Sequence, residues 1–272
     1  MTPRLTAPGF ERGTVCLVGA GPGDPGLLTL HAAHALAEAD VVLHDALVSP
    51  DILAMAERAR LEPVGKRAGG KRTPQLRINE RLIRLAREGW RVVRLKGGDP
   101  LVFGRGGEEA LALAAAGVRF RIVPGISAGI GGTAAAGIPI THRGLARSVA
   151  FVTGHDAGGD LPADLDWQAL ARGADVLVLY MGLRTIGAIA ARLRAAGRPD
   201  VEPVAFITDA TTPQQRVVVA TLADAEQIAA TIPAHAPTLI MVGPVVALRE
   251  LIGPWQDTAP MVVTPATRRA TA

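Results

Sequence analysis

From Thr14 onward the chain alternates short apolar runs of strand length with longer stretches whose apolar positions recur at helical spacing. This alternation constrains the fold more than any other feature. Consecutive strands separated by helix-length crossovers pair in parallel, whereas hairpins join antiparallel ones. Residues 15–18, 40–44, 91–95 and 120–123 read as strands, and 27–38, 74–88, 108–116 and 128–136 as helices. A further helix begins at Ser49-Pro50, with Ser49 as its N-cap and Pro50 at the first helical position. Hydrophobic residues make up 49% of the 272, yet aromatics only 3%, so the core has to be Ala, Leu, Val and Ile. That composition suits parallel strands covered by helices on both faces.

The alternation breaks at Gly137-Ile-Pro-Ile-Thr-His-Arg-Gly144, where a linker is expected. It divides an N-terminal α/β domain over 14–140 from a C-terminal α/β domain over 147–255, with 1–13 and 256–272 expected to be flexible. In the second domain 148–153, 176–181, 204–208, 215–221 and 238–242 read as strands, and 185–196 and 245–252 as helices. No helix fits between 208 and 215, so this sheet is expected to be mixed, with an antiparallel pair.

Several function classes fall away. No apolar run approaches the roughly 18 residues of a membrane span, and residues 1–13 lack the apolar segment of a secretion signal. The single Cys16 excludes an internal disulfide and a cysteine metal cluster, and suits a reducing cytoplasm. His31 and His34 stand three apart but have no carboxylate company, and His142 has no second ligand at helical spacing, so no metal is expected. The net charge of +4 comes from scattered basic residues. With so few aromatics for base stacking, this favours a polyanionic small molecule over nucleic acid.

The densest local signal is Leu95-Lys-Gly-Gly-Asp-Pro-Leu-Val-Phe-Gly-Arg-Gly-Gly-Glu-Glu109, with five glycines in fifteen residues. Glycines at that density let a ligand approach the main chain. Gly19-Ala-Gly-Pro-Gly-Asp-Pro-Gly26 contains a G-x-G-x-x-G pattern, and Asp45 ends the next strand where a ribose-binding acid would stand. Pro22 and Pro25 argue against a dinucleotide, because a pyrophosphate cradle works through backbone N–H groups that proline lacks. Asp45 lies at the strand edge that faces ligands in open α/β sheets; by spacing alone it serves equally as a turn cap. Lys66 and Arg67 put two cations at another strand end, where Lys66 either pairs with a carboxylate or is solvated at the surface, and Ser127 reads as a cap of the helix that follows it.

In this order the motifs closely resemble one family, the uroporphyrinogen-III C-methyltransferases among the tetrapyrrole methylases. The matching segments include Val18-Gly-Ala-Gly-Pro-Gly-Asp-Pro-Gly26, Asp45-Ala-Leu-Val-Ser49, Val64-Gly-Lys-Arg67, Arg94-Leu-Lys-Gly-Gly-Asp-Pro100 and Phe103-Gly-Arg-Gly-Gly-Glu-Glu109. Further along stand Val123-Pro-Gly-Ile-Ser-Ala128, Gly137-Ile-Pro-Ile-Thr-His-Arg143, Thr153-Gly-His155, Tyr180-Met-Gly182 and Thr212-Pro-Gln-Gln215. The resemblance spans 14–255.

It implies an α/β enzyme of two domains, usually a homodimer, holding S-adenosylmethionine in the cleft between them and releasing S-adenosylhomocysteine. Carried over by position, cofactor contacts fall on Pro22, Gly97, Gly98, Asp99, Val102, Ser127, Ala128, Met181, Ala210 and Thr238. Asp45 and Lys66 match the family's acid and base positions. Arg105 and Glu108 match charged positions at the reaction, and Arg67, Arg105 and Arg143 are candidates for the substrate's carboxylates. Ser127 stands where many relatives have Thr, and Leu101 where many have Phe. The implied reaction methylates uroporphyrinogen III at C-2 and C-7, giving precorrin-2 through precorrin-1. Methylation at another step of corrin synthesis is the alternative. A stand-alone enzyme of cobalamin type is expected, because no dehydrogenase or chelatase segment precedes the methylase motifs. Cobalamin or sirohaem synthesis would consume the product.

Overall fold

The computed structural model describes residues 9–65, 73–156 and 158–253. The first sheet contains β1 (Val15–Gly19), β2 (Val41–His44), β3 (Arg60–Pro63), β4 (Val92–Lys96) and β5 (Phe120–Val123), in the order β3-β2-β4-β1-β5. Every pairing in it is parallel. Helices α1 (Leu30–Glu38), α2 (Pro50–Ala54), α3 (Gln75–Arg87), α4 (Gly106–Ala115) and α5 (Ala128–Ala135) follow the strands in turn.

The unbroken apolar runs follow from burial on both faces. Cys16 and Val18 pack with Ala32, Leu36 and Ile52 of α1 and α2. Val15 and Leu17, one step out of phase, pack with Ile78, Leu82 and Leu85 of α3 and Leu113 of α4. Burying each such leucine contributes about 2 kcal/mol.

The second sheet contains β6 (Val149–Thr153), β7 (Val176–Tyr180), β8 (Pro203–Thr208), β9 (Arg216–Thr221) and β10 (Thr238–Val242), in the order β6-β7-β10-β8-β9. It is mixed, as the short 208–215 connection requires. β6 and β7 are parallel, β8 and β9 form an antiparallel hairpin, and β10 runs antiparallel to both its neighbours. Helices α6 (Trp167–Gly173), α7 (Ile186–Ala195) and α8 (Ala225–Thr231) cover one face, over Leu177, Leu179 and Phe206. Short α9 (Arg249–Ile252) closes the described chain.

Three local expectations change. The 27–38 helix is instead a 3₁₀ turn at Pro25–Leu27 followed by α1, whose cap is Thr29: its Oγ1 accepts from Ala32 N at 3.2 Å. Ser49 precedes α2 but does not cap it through its side chain; its Oγ donates to the Gly23 carbonyl at 3.0 Å. The 245–252 helix is a 3₁₀ turn at Pro244–Leu248 and then α9. Helices α6 and α8 escape sequence reading because seven residues hold too few turns to display a period.

The strand order places a crevice. β1 leads through α1 to β2, away from β5, while β4 leads through α4 to β5 on the other side. α1 and α4 therefore lie on opposite faces of the sheet. Neighbouring β2 and β4 send their connections opposite ways, to β3 and to β5, and adjacent strands whose connections diverge leave a gap at their carboxyl ends, which is where open α/β sheets bind ligands. The two glycine-rich segments are the loops that leave β1 and β4, beside this gap.

Candidate active site

The two loops are zipped together. Gly21 N donates to Gly98 O at 3.2 Å and Gly98 N to Gly21 O at 2.8 Å. Ala20 N donates to Lys96 O, Asp24 N to Thr211 Oγ1 and Gly26 N to Asp24 Oδ1. With Pro22 and Pro25 contributing none, the G-x-G-x-x-G segment has spent most of its amide donors inside the protein. It forms a wall and does not form a phosphate cradle.

Space opens instead at Gly97, where an added Cβ would meet only Leu47 Cβ, at 3.5 Å. Gly98 takes φ +66°, and its side-chain direction points toward Ser127 Cα and Ala128 N, 3.7 and 3.8 Å away. Asp99 acts as a staple: Oδ1 accepts from Leu101 N at 2.8 Å and Oδ2 from Gly125 N at 3.1 Å.

The second sheet supplies the opposite wall. The chain's single tyrosine, Tyr180, ends β7. Its hydroxyl lies 2.6 Å from Ser127 Oγ and accepts from Gly129 N at 2.7 Å. Ser127 therefore bridges the sheets instead of capping α5. Phe103 stacks on Tyr180 with ring centroids 4.9 Å apart. Strand register sets Thr238 opposite Thr208, one step beyond Tyr180 and so beside Met181. Ala210 lies over the Gly23 turn, toward which its carbonyl points.

Among the described residues, five non-glycine residues adopt positive φ: Phe103, Arg105, Met181, Asp209 and Thr211. All five sit in the loops at these strand ends. Such backbone costs on the order of 1–3 kcal/mol per residue and gathers at functional sites.

Replacing Tyr180 by Phe tests the bridge. It deprives Gly129 N–H and Ser127 of their partner and is expected to cost about 1–2 kcal/mol. Urea unfolding reads this as a lower midpoint at unchanged slope.

Charge lies on the first-sheet side. Asp45 follows β2, its side chain 30% exposed. Arg94 Nη2 donates to Asp45 Oδ1 at 2.5 Å, and Lys96 Nζ lies 3.8 Å from Oδ2. Arg94 and Lys96 are buried within β4 and share the wholly buried Glu109 of α4. Arg94 Nε donates to Glu109 Oε1 at 2.9 Å, Lys96 Nζ donates to the same atom at 3.3 Å, and Gln75 Nε2 at 3.0 Å. Lys96 Nζ also lies 3.2 Å from Oε2, an ion contact without hydrogen-bond geometry. Burial, and next the Arg94 guanidinium, push the Lys96 ammonium below the usual lysine range, while Asp45 and Glu109 pull it back.

Arg105 caps α4 from the left-handed region and forms a fork with Glu108, at 2.8 and 2.6 Å. Glu108 holds the guanidinium above its ordinary value.

Of the candidates read from sequence, Pro22, Gly97, Gly98, Asp99, Val102, Ser127, Ala128, Met181, Ala210 and Thr238 all lie in the loops and strand ends around this crevice. Asp45, Arg105 and Glu108 lie on the first-sheet side of it. Arg143 is exposed on the turn closed by His142 and Ala146. Lys66 and Arg67 lie outside the described residues. Arg94, Lys96, Glu109 and Tyr180 were not singled out from the sequence as site residues. Their signal was there: two charges inside a strand buried on both faces require partners.

Among the described residues, no three His, Cys, Asp or Glu side chains gather to hold a metal ion, and no helix is long and apolar enough to cross a membrane.

Comparison with known proteins follows the same lines. Residues 14–226 match the model of the tetrapyrrole (corrin/porphyrin) methylases. The chain is 58% identical to a uroporphyrinogen-III C-methyltransferase of a Sinorhizobium species, over 89% of this chain and 87% of that protein. It is 51% identical to a sirohaem synthase of Neisseria meningitidis over 94% of its own length, but spans only 53% of that protein. Among solved structures it superposes on uroporphyrin-III C-methyltransferase from Thermus thermophilus complexed with S-adenosylhomocysteine, with TM-score 0.75 and 43% identity, covering 86% of this chain and 99% of that one. A cobalt-precorrin-4 methyltransferase superposes with TM-score 0.76 at 28% identity, covering 86% of this chain and 96% of that one.

Proposed function

We propose a reaction for this chain from one premise: it belongs to the tetrapyrrole (corrin/porphyrin) methylases. It is a methyltransferase acting on a tetrapyrrole, with uroporphyrinogen III as acceptor and S-adenosylmethionine as donor. The observation that carries this reading is the meeting of two unlike surfaces at one crevice. One is an open backbone cradle at Gly97 and Gly98, and the other a charged side formed by Asp45, Arg105 and Glu108.

The donor fits the cradle. The space beside Gly97 that a Cβ would fill admits a flat or chain-like group against main-chain atoms. Pro22, Gly97, Gly98, Val102, Ser127, Ala128, Met181, Ala210 and Thr238 would hold it, and Asp99 keeps two of the loops together. When bound, S-adenosylmethionine supplies an electrophilic methyl group on a sulfonium.

The chain's own residues do the rest by positioning. Arg105, oriented by Glu108, takes a substrate carboxylate in a bidentate fork. Arg67 and Arg143 are assigned to further carboxylates of the same macrocycle. The exposed apolar side chains of Leu47, Leu101, Phe103 and Met181 offer its ring an apolar floor. Asp45 takes the proton that a methylated pyrrole ring must lose, at Oδ2, the oxygen to which Arg94 does not donate. Lys66 is assigned to pass that proton from Asp45 on to solvent.

The finer reading is two successive methylations, at C-2 and C-7, giving precorrin-2 for cobalamin or sirohaem synthesis by a cytoplasmic homodimer. The match to half of the sirohaem synthases supports the methylation step they share.

Incubation with uroporphyrinogen III and methyl-labelled S-adenosylmethionine tests it directly. A product heavier by two methyl groups supports the reading, and unchanged substrate overturns it. Titration calorimetry with S-adenosylhomocysteine should show binding where NAD shows none. Arg105→Ala is expected to raise the KM for uroporphyrinogen III about tenfold to a hundredfold, the worth of one charge-assisted contact. An unchanged KM would remove Arg105 from substrate binding.

A further inference from the structure

We propose that Lys96 and Glu109, with Arg94, form a buried positioning unit that fixes the Asp45 carboxylate and the Arg105 loop relative to one another. The inference rests on the assignment of Asp45 as the proton acceptor.

The argument begins with cost. Two cations and a carboxylate stand almost wholly out of water inside a small α/β layer: Arg94 and Lys96 are each 2% exposed and Glu109 is fully buried. Isolated buried charges are strongly disfavoured, and replacing such groups by apolar residues is often neutral or stabilising. Stability therefore gives no reason for their presence.

Geometry gives one. The group is neutral only when Asp45 is counted: Arg94 and Lys96 face Asp45 and Glu109. Three of the four are buried and the fourth, Asp45, emerges into the crevice. Arg94 spans the distance, with Nε on Glu109 and Nη2 on Asp45, while its Nη1 reaches the Leu43 and Leu95 carbonyls.

The same unit reaches the other functional side chain. Glu109 lies on the first turn of the helix that Arg105 caps. The Lys96 stem runs beneath Gly104, where an added Cβ would come 3.2 Å from Lys96 Cε. Phe103 and Arg105, the neighbours of Gly104, both hold positive φ. One ion cluster thus underlies the strained loop and the acid at once. A merely structural ion pair would need neither the exposed carboxylate nor the strained loop above it.

The charged groups that bear on Asp45 are Arg94 and Lys96 from β4, and behind them Glu109 from α4. Removing a cation or an anion from this set should move the acid limb of the rate profile in opposite directions.

The test compares Lys96→Met, Glu109→Gln and the double variant with wild type and Asp45→Asn, all as full chains. Folding is checked by binding of S-adenosylhomocysteine. For Lys96→Met the expected result is a kcat about tenfold or more below wild type, a KM for uroporphyrinogen III raised less than in Arg105→Ala, and the acid limb of the pH profile moved upward. Glu109→Gln is expected to move that limb downward. The double variant, which keeps the charge balance, should return it toward wild type and is the decisive comparison should a single variant fail to fold.

Profiles of all three that coincide with wild type, while Asp45→Asn is slow, overturn the inference and leave the Asp45 assignment standing. Full activity in Asp45→Asn overturns both. Equal losses in the two single variants with no displacement of the profile reduce the cluster to a fold element and also overturn the inference.

Discussion

Asp45→Asn is expected to lower kcat about 10²- to 10⁴-fold while KM for uroporphyrinogen III and affinity for S-adenosylhomocysteine stay near wild type. Attack by a pyrrole carbon that already bears a side chain makes that carbon quaternary and leaves the ring system cationic, and a proton must depart from elsewhere in the ring system before it is neutral again. A base that acts only there contributes to turnover and little to binding. The asparagine keeps the shape and can still accept from Arg94 Nη2 at the position of Oδ1. It cannot take a proton at the position of Oδ2. Rapid-quench and steady-state assays with the same preparation separate the two possibilities. Full turnover would leave Asp45 as an anchor for Arg94.

The frame of the fold was legible because its signals are periodic. Strands buried on both faces read as unbroken apolar runs, and β5 and β10 fall where the runs place them. The mixed second sheet followed from one short connection, since seven residues between β8 and β9 leave no space for a crossover helix. What escaped was aperiodic: short α6 and α8, and the 3₁₀ turns where a helix was expected to run on.

The site divides in the same way. Loop glycines and prolines declared a ligand surface because their chemistry is local. To the two prolines that argue against a phosphate cradle the structure adds a second reason: Gly21, Asp24 and Gly26 direct their amides inward. Long-range pairings were hidden. Tyr180 read as one more strand residue, yet its hydroxyl joins the two sheets through Ser127. Glu109 read as one of two acids beside Arg105, whereas α4 turns Glu108 to the arginine and Glu109 into the core. One residue of helical phase, about 100°, separates a surface ion pair from a buried one.

Gly125→Ala is expected to be the most damaging substitution that touches no functional side chain. Gly125 lies where the ends of β1, β4 and β5 meet, and its amide donates to Asp99 Oδ2. A Cβ there would collide with the Gly98 carbonyl oxygen and come within 2.8 Å of Gly19 Cα. Reciprocally, a Cβ on Gly19 would stand 2.6 Å from Gly125 Cα, Gly125 N and Gly98 O. Side chains evade such contacts by changing rotamer, but three crossing backbones cannot. The methyl group must push the Gly98 loop away from the Gly21 loop that it hydrogen-bonds, and so widen the cradle itself. A stability loss of about 3 kcal/mol is expected, at the upper end for overpacking, together with loss of measurable S-adenosylhomocysteine binding. Gly173→Ala, at the end of α6 with no atom within 4 Å of the new methyl, serves as the control. There the same change should leave the urea midpoint equal or higher, by up to about 1 kcal/mol. If both variants unfold together with wild type and both bind S-adenosylhomocysteine, backbone crowding is not what these glycines serve. If only Gly125→Ala weakens both properties, the close packing of the strand ends and the shape of the donor site have one cause.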